Sequence, residues 1–434
     1  MRNFFQFTVF GMHIKNLKVR NYRNYESFDL DFDRKLNLII GDNAEGKTNL
    51  LESIYYISTG KSHRGAKQDE LVRLNEDSAI IRALIMESDE TVDDRGREHL
   101  LEIELGRTGL NNSGSPGRAS NIKIRIDRAP YKKKSDFVSI LPSVIFSPDD
   151  LKIIKGGPSD KRDFLDSINE KIFRDYQPLY LKYLKILNQR NSLLKSISNE
   201  DRSNKNPTLQ VWNENLIRYG SEIIIKRLQL VADIRPLFVD MLGRFFSEMK
   251  AEILYIFSWD RMEPDNFSEN NGGEYTTYLK NLEFSDHKNI SLRFGTSLRE
   301  NFYKELNYKT TLTGPHRDCF VVLLDGRDIK SFGSQGQQRV ASVCLRLSEL
   351  EILKKMLNKN PVLLLDDVLS ELDRPREKLL LEVINKGYQT FITAANTDIL
   401  ENLRIQPASG FYIKNNNALP YEYDSEGQCF KKVF

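Results

Sequence analysis

The stretch KLNLIIGDNAEGKTNLLESIYYIS, Lys35 to Ser58, begins as an apolar run and ends with Leu50, Leu51, Ile54 and Tyr55 at one-face helical spacing. Between the two lies GDNAEGKT, Gly41 to Thr48, which fits G-x-x-x-x-G-K-[ST]. A bare match also occurs in ordinary strand–helix turns, but a buried strand before it and a helix after it make a phosphate loop. The glycines let the backbone curl so that successive N–H groups face an anion, and the helix N-terminus adds its positive end. The candidate nucleotide contacts are Gly41, Asp42, Asn43, Ala44, Glu45, Gly46, Lys47, Thr48 and Asn49. Lys47 would sit on the β- and γ-phosphates as a point charge, and the Thr48 hydroxyl would ligate Mg²⁺.

Such a site needs carboxylates from a neighbouring strand, and PVLLLDDVLSELD, Pro361 to Asp373, supplies them. An apolar strand runs into Asp366, which fits the metal-supporting position, acting through water because Mg²⁺ keeps much of its shell. Asp367 falls where a carboxylate orients or activates the attacking water. Many such ATPases use Glu there. Asp is one methylene shorter, so turnover is expected to be slow.

The architecture turns on FGSQGQQR, Phe332 to Arg339. Ser334, Gln335, Gly336 and Gln337 resemble the ABC-type signature S-G-G-Q with Gln at its second position, and a helical pattern follows at once. Ser370-Glu371-Leu372-Asp373 matches the D-loop of that class, with Ser370 and Asp373 as its polar members. Phosphate loop, signature, acidic strand and D-loop thus stand in ABC order. Each string alone is weak, but the ordered set is specific. About 290 residues separate the first two motifs, far more than in transporter subunits, and no sustained heptads fill the gap. The expected fold is α/β: an ABC-type P-loop ATPase head, a mixed sheet with flanking helices, plus a mainly helical arm. In such heads Ser334 would meet the nucleotide held by Lys47 of a second molecule, giving an ATP-dependent homodimer.

The rest of the chain fits this plan. Residues 1–11 read as an N-terminal extension, 12–157 as the head's first lobe, 158–300 as the arm and 301–434 as the second lobe. Long 3.6-type patterns at 161–197 and 208–249 suggest a helical pair. The stretch 107–121, rich in Gly, Ser and Asn, reads as a mobile hairpin loop. Three scattered cysteines, Cys319, Cys344 and Cys429, exclude a disulfide framework and suit a reducing, cytoplasmic setting. No apolar run approaches the roughly 20 residues of a membrane span, so no membrane partner is expected.

Taken together, these segments resemble the RecF family of bacterial recombination-repair proteins from Met12 onward. The residues that carry the resemblance are MHIKNLKVRNYRNYESFDLDF, IIGDNAEGKTNLLESIYYISTGKSHRG, FSPDDLKIIKGGPSDKRDFLD, TLTGPHRDCF, SQGQQR and LLLDDVLSELD. The resemblance implies ATP-dependent dimerisation, DNA binding, slow hydrolysis, and action with RecR and RecO in loading RecA at single-strand gaps and duplex junctions. Arg64 in KSHRG is similar to the arginine that related heads direct at the nucleotide phosphates. The chain departs from the pattern at three places. Asp149 stands where ABC heads have a Q-loop Gln, Cys319 where the family often has a second Asp, and Asn396-Thr397 where transporters have a switch His. A transporter subunit therefore fits poorly, and a RecN-like head is opposed by the moderate arm and the GPHR segment. A non-catalytic ATP-binding scaffold remains open.

Net charge is only +3, so local clustering is more informative. Arg118, Lys123, Arg125, Arg128, Lys132, Lys133 and Lys134 gather in GRASNIKIRIDRAPYKKK and are candidate DNA-phosphate contacts. The same run also reads as a solvated face. Arg20 and Arg23, interleaved with Tyr22 and Tyr25, are further candidates. No base-reading module is present in the sequence, so binding would follow DNA structure and weaken with salt.

Overall fold

The structure, a computed structural model, describes residues 10–89, 96–107, 122–131, 135–197, 206–260, 287–367, 380–395, 408–424 and 429–432. It divides into two compact units, 1–148 with 350–434, and 149–349. Strands of the first unit are β1 (Phe10–Tyr22), β2 (Tyr25–Asp31), β3 (Leu36–Ile40), β4 (Ser78–Asp89), β5 (Arg97–Gly106), β6 (Ile122–Ile126), β7 (Ala129–Tyr131) and β8 (Ser143–Phe146). The second unit has β9 (Ala251–Ile256), β10 (Cys319–Leu324) and β11 (Arg327–Asp328). The chain then returns to the first unit with β12 (Val362–Asp366), β13 (Thr390–Ala394), β14 (Ser409–Lys414), β15 (Asn417–Asp424) and β16 (Cys429–Lys432).

Two sheets build the first unit. One is antiparallel, in the order β2-β1-β4-β5-β6-β7. Its alternating residues put Leu17, Val19, Ile81, Ala83, Ile103 and Ile124 on one buried face. The other runs β16-β15-β14-β3-β13-β12-β8, with β14, β3, β13, β12 and β8 parallel. β3, a central parallel strand, is buried at every position, so both of its faces are covered and it reads as an unbroken apolar run. Helix Lys47–Thr59 inserts Leu50, Leu51, Ile54 and Ile57 into the shared core. Each such side chain contributes roughly 1.5–3 kcal/mol of burial.

β1 switches register at a bulge between Ile14 and Asn16. The Gln389 side chain pairs with the backbone there, accepting from Ile14 N at 2.7 Å and donating to Ile14 O at 2.8 Å. That buried amide satisfies both backbone polar groups of Ile14, which the β2 ladder does not reach.

In the second unit, the sheet β11-β10-β9 accompanies helices Pro158–Ile172, Tyr176–Ser196, Pro207–Gly243, His287–Glu300 and Phe302–Tyr308. The unit also holds the first part of helix Gln335–Leu357. The pattern at 161–197 proves to be two helices. Phe173 leaves helical geometry, and the Tyr176 hydroxyl folds back to donate to Asp166 on the preceding helix. On one straight helix those two positions would lie about 15 Å apart. Arg227 completes the lock, donating Nε to Asp166 Oδ1 at 2.7 Å and Nη2 to Oδ2 at 2.8 Å. A second buried pair joins Arg190 to Glu305 at 2.6 Å. Breaking either pair would strand a charge in the core.

Candidate nucleotide site

Three parallel strands deliver the site. β3 ends at Ile40, just before Gly41, β12 runs into Asp366 and Asp367, and β13, which lies between them, carries Thr393 near its end. Carboxyl ends of parallel strands are where open α/β sheets bind ligands. A cleft of about 270 Å³ opens there, lined by Asn43, Ala44, Gly46, Lys47, Thr48, Asn49, Arg64, Asp366, Asp367 and Thr393.

Two glycines are needed by the loop geometry. Gly46 has φ +114°, and a Cβ there would meet Asn24 Nδ2 at 2.6 Å. A Cβ on Gly41 would meet the carbonyl oxygen of Ile413 at 2.5 Å. The loop is also held from outside. The Tyr25 hydroxyl donates to Gly46 O at 3.1 Å, and Asn415 N donates to Glu45 Oε2 at 2.5 Å. The amine of Lys47 donates to Gly41 O at 2.6 Å and Asp42 O at 2.9 Å. Burial lowers its pKa, with the carboxylates of Asp367, Asp366, Asp42 and Glu45 working the other way.

Asp366 Oδ1 accepts hydroxyl hydrogen bonds from Thr48 and from Thr393, each at 3.0 Å. Burial raises the Asp366 pKa and Asp367's charge adds to it, while the two hydroxyls and the Arg64 charge pull it back. A hydroxyl and a carboxylate oxygen side by side are hard donors suited to Mg²⁺, which takes few protein ligands and keeps its waters. Asp367 is exposed and left-handed, at φ 53°, which turns the chain sharply after β12. Its N–H donates to Thr393 Oγ1 at 2.8 Å, and Asp tolerates this conformation better than most residues.

Arg64 borders the cleft and donates Nη1 to Asn49 Oδ1 at 3.3 Å. Ser334 is exposed on the second unit and caps helix Gln335–Leu357. Its N donates to Gln337 Oε1 at 2.8 Å and its Oγ accepts from Gln337 N at 3.2 Å, a reciprocal cap. Ser370, Asp373, Asn396 and Thr397 lie outside the described residues.

Thr393, Asn24 and Tyr25 were not among the sequence candidates for this site. A threonine at the end of an otherwise apolar strand was the available signal for the first. The NYRNY segment, which from sequence offers candidate DNA contacts, is held largely inside. Tyr22 and Tyr25 are fully buried, and Arg23 is engaged with Glu52 by two hydrogen bonds. Arg20 alone of the four is exposed.

Of the basic run, Arg118, Lys132, Lys133 and Lys134 lie outside the described residues. Lys123 pairs with Glu104 at 2.7 Å, and Arg125 pairs with Glu102. These cross-strand pairs come from the β5–β6 register, Glu104 opposite Lys123 and Glu102 opposite Arg125. Asp149 is exposed and pairs with Lys152 at 2.7 Å. Its neighbour Asp150 is buried and accepts from Arg346 Nη2 at 2.9 Å.

Residues 13–418 match the family model described as the RecF/RecN/SMC N terminal domain. The DNA replication and repair protein RecF of Agathobacter rectalis is 36% identical over 402 residues, covering 93% of this chain and 97% of that one. Its counterpart in Thermoanaerobacter sp. is 37% identical, covering 93% of this chain and all of the other. Among solved structures, the recombination mediator protein RecF with ATP, of the RecFOR pathway, is 33% identical with a TM-score of 0.77. That likeness covers 95% of this chain and 99% of that one.

Proposed function

This chain belongs to the RecF/RecN/SMC N-terminal-domain family, and to the RecF proteins within it; from that premise we propose an ATP-dependent DNA-repair ATPase that closes head to tail on gapped or junction DNA. The observation that carries the reading is the convergence of Thr48, at the start of the helix after the phosphate loop, on Asp366 and Thr393 at the ends of β12 and β13, beside Lys47. In this reading the N–H groups of residues 43–48 cradle the phosphates and Lys47 exchanges its carbonyl partners for them. Mg²⁺, held by Thr48 and supported by Asp366, would neutralise charge on the β- and γ-phosphates. Asp367 aligns the attacking water, and Arg64 faces the phosphates. Ser334, Gln335, Gly336 and Gln337 complete the site of a second copy, with Ser370 and Asp373 alongside.

Hydrolysis is slow in this scheme and releases the dimer from DNA. The head read as 12–157 with 301–434, and the arm as 158–300, form part of the proposal. So do partnership with RecR and RecO, phosphate contacts from the basic run that includes Arg118, Lys123, Arg125, Lys132, Lys133 and Lys134, and a cytoplasmic setting. Among the described residues no helix is long and apolar enough to cross a membrane.

Binding to gapped, junction and plain duplex DNA, measured with and without ATP and Mg²⁺ at two salt concentrations, tests the proposal. Tighter, salt-sensitive binding to gapped or junction DNA with ATP is the expected result. Equal affinity without nucleotide would instead favour a scaffold that binds ATP without using it as a switch.

A further inference from the structure

The loop that carries Arg64 is moored to the phosphate-loop helix by a carboxylate that the reading above leaves without a role. Glu52 lies one turn beyond Thr48 and is fully buried. Arg23 grips it, donating Nε to Oε2 at 2.7 Å and Nη2 to Oε1 at 2.9 Å. Ser62 donates its hydroxyl to Oε1 at 2.5 Å. Ser62 Oγ in turn accepts the backbone N–H of Arg64 at 3.1 Å and of Ala66 at 3.2 Å. Arg23 is itself fixed, its N donating to Leu71 O at 2.8 Å and its Nη1 to Glu70 O at 3.1 Å.

The direction of these bonds follows from their chemistry. A serine hydroxyl has one proton and two lone pairs, and an ionised carboxylate only accepts. Facing Glu52, Ser62 must give its proton, which leaves both lone pairs for the two loop N–H groups. Burial works against the charge on Glu52, but the hydrogen bonds from Arg23 and Ser62, together with the charges of Arg23 and His63, outweigh it. Its carboxyl is therefore held below the usual range. A buried ion pair is weak evidence of stability for its own sake, and this one ends on the backbone of a residue at the cleft.

We propose that Glu52, held by Arg23, is a positioning residue for the nucleotide: by fixing the Ser62 hydroxyl it sets the turn that presents Arg64 to the phosphates. This rests on the nucleotide reading of the cleft. The test uses the full chain and affinity for a fluorescent ATP analogue with Mg²⁺, with thermal stability followed in parallel. Ser62→Ala weakens binding roughly fivefold to tenfold, and Ser62→Thr, which keeps the hydroxyl, restores most of it. In an Arg64→Ala background, Ser62→Ala costs no more than about twofold further. Wild-type affinity for Ser62→Ala, or an undiminished loss in that background, overturns the proposal. Glu52→Gln should shift affinity in the same direction as Ser62→Ala. If that variant does not fold, the Ser62 series decides. Lys47→Ala separates the two levels. If it binds as the wild type does, the nucleotide reading falls and the mooring role with it. If Lys47→Ala loses binding while Ser62→Ala does not, only the mooring role falls.

Discussion

The Thr48 hydroxyl donates a 3.0 Å hydrogen bond to Asp366 Oδ1, joining two positions 318 residues apart in the chain. One closes the phosphate loop and the other ends β12. Asp366→Asn replaces an ionised acceptor with a neutral amide. ATP hydrolysis should fall roughly 10- to 100-fold, with nucleotide affinity measured without Mg²⁺ little changed. Phosphate release and nucleotide titrations with and without Mg²⁺ check this.

Lys47 is a cation kept in the cleft by two backbone carbonyls. With ATP at a hundredfold excess over its dissociation constant, the wild-type chain should gain about 2.7 kcal/mol of stability. Lys47→Ala should gain less than about 1 kcal/mol at the same concentration. Thermal or denaturant unfolding with and without ATP–Mg²⁺ gives the comparison.

Ser334 is exposed where the proposed dimer needs it. Ser334→Arg puts a bulky side chain at that contact and should leave the phosphate loop of its own chain intact. Sedimentation with ATP–Mg²⁺ and DNA should give a dimer for the wild type and a monomer for the variant, each chain still binding ATP. A wild-type monomer under all these conditions would remove the switch mechanism.

His316 is held neutral. Burial lowers its pKa to about 4, its Nδ1 lies 2.6 Å from the Tyr183 hydroxyl, and its Nε2 lies 3.2 Å from Thr311 O. The carbonyl can only accept, so Nε2 carries the proton and Nδ1 accepts from Tyr183. An unfolded histidine titrates near 6.5, so between that pH and about 4 the unfolded chain binds more protons. The stability His316 contributes is present above about 6.5 and is lost as pH falls towards 4. Asp318, raised to about 6 by burial, contributes with the opposite sign. From pH 7 to pH 5 the wild type should therefore lose about 2 kcal/mol relative to His316→Gln. Urea unfolding of both at the two pH values measures it.

Strands and helices were legible wherever one period dominated. β3, β10, β12 and β13 are short apolar runs, and helix Lys47–Thr59 follows a loop whose glycines announce it. The break near Phe173 had one local mark, Pro178 in the first turn of the next helix, but the fold-back of that helix onto its predecessor was not legible. It exists because Tyr176 and Arg227 close on Asp166, a contact made by three separate helices. The bulge at Ile14 was hidden for the same reason, since its partner Gln389 lies 375 residues away.

The sequence alone determined the chemistry of the candidate site: a glycine-bearing loop, a lysine and a threonine at a helix start, and two carboxylates after an apolar strand. Those are local patterns, written in consecutive residues because backbone curvature and helix dipoles are local. What only the tertiary structure decided is which groups share a proton or a charge. It brought the Thr48 and Thr393 hydroxyls to one oxygen of Asp366, took Arg23 from the surface to Glu52, and paired Lys123 and Arg125 with carboxylates across a ladder. Strand order and register set those pairings, and both depend on parts of the chain that sequence spacing leaves far apart.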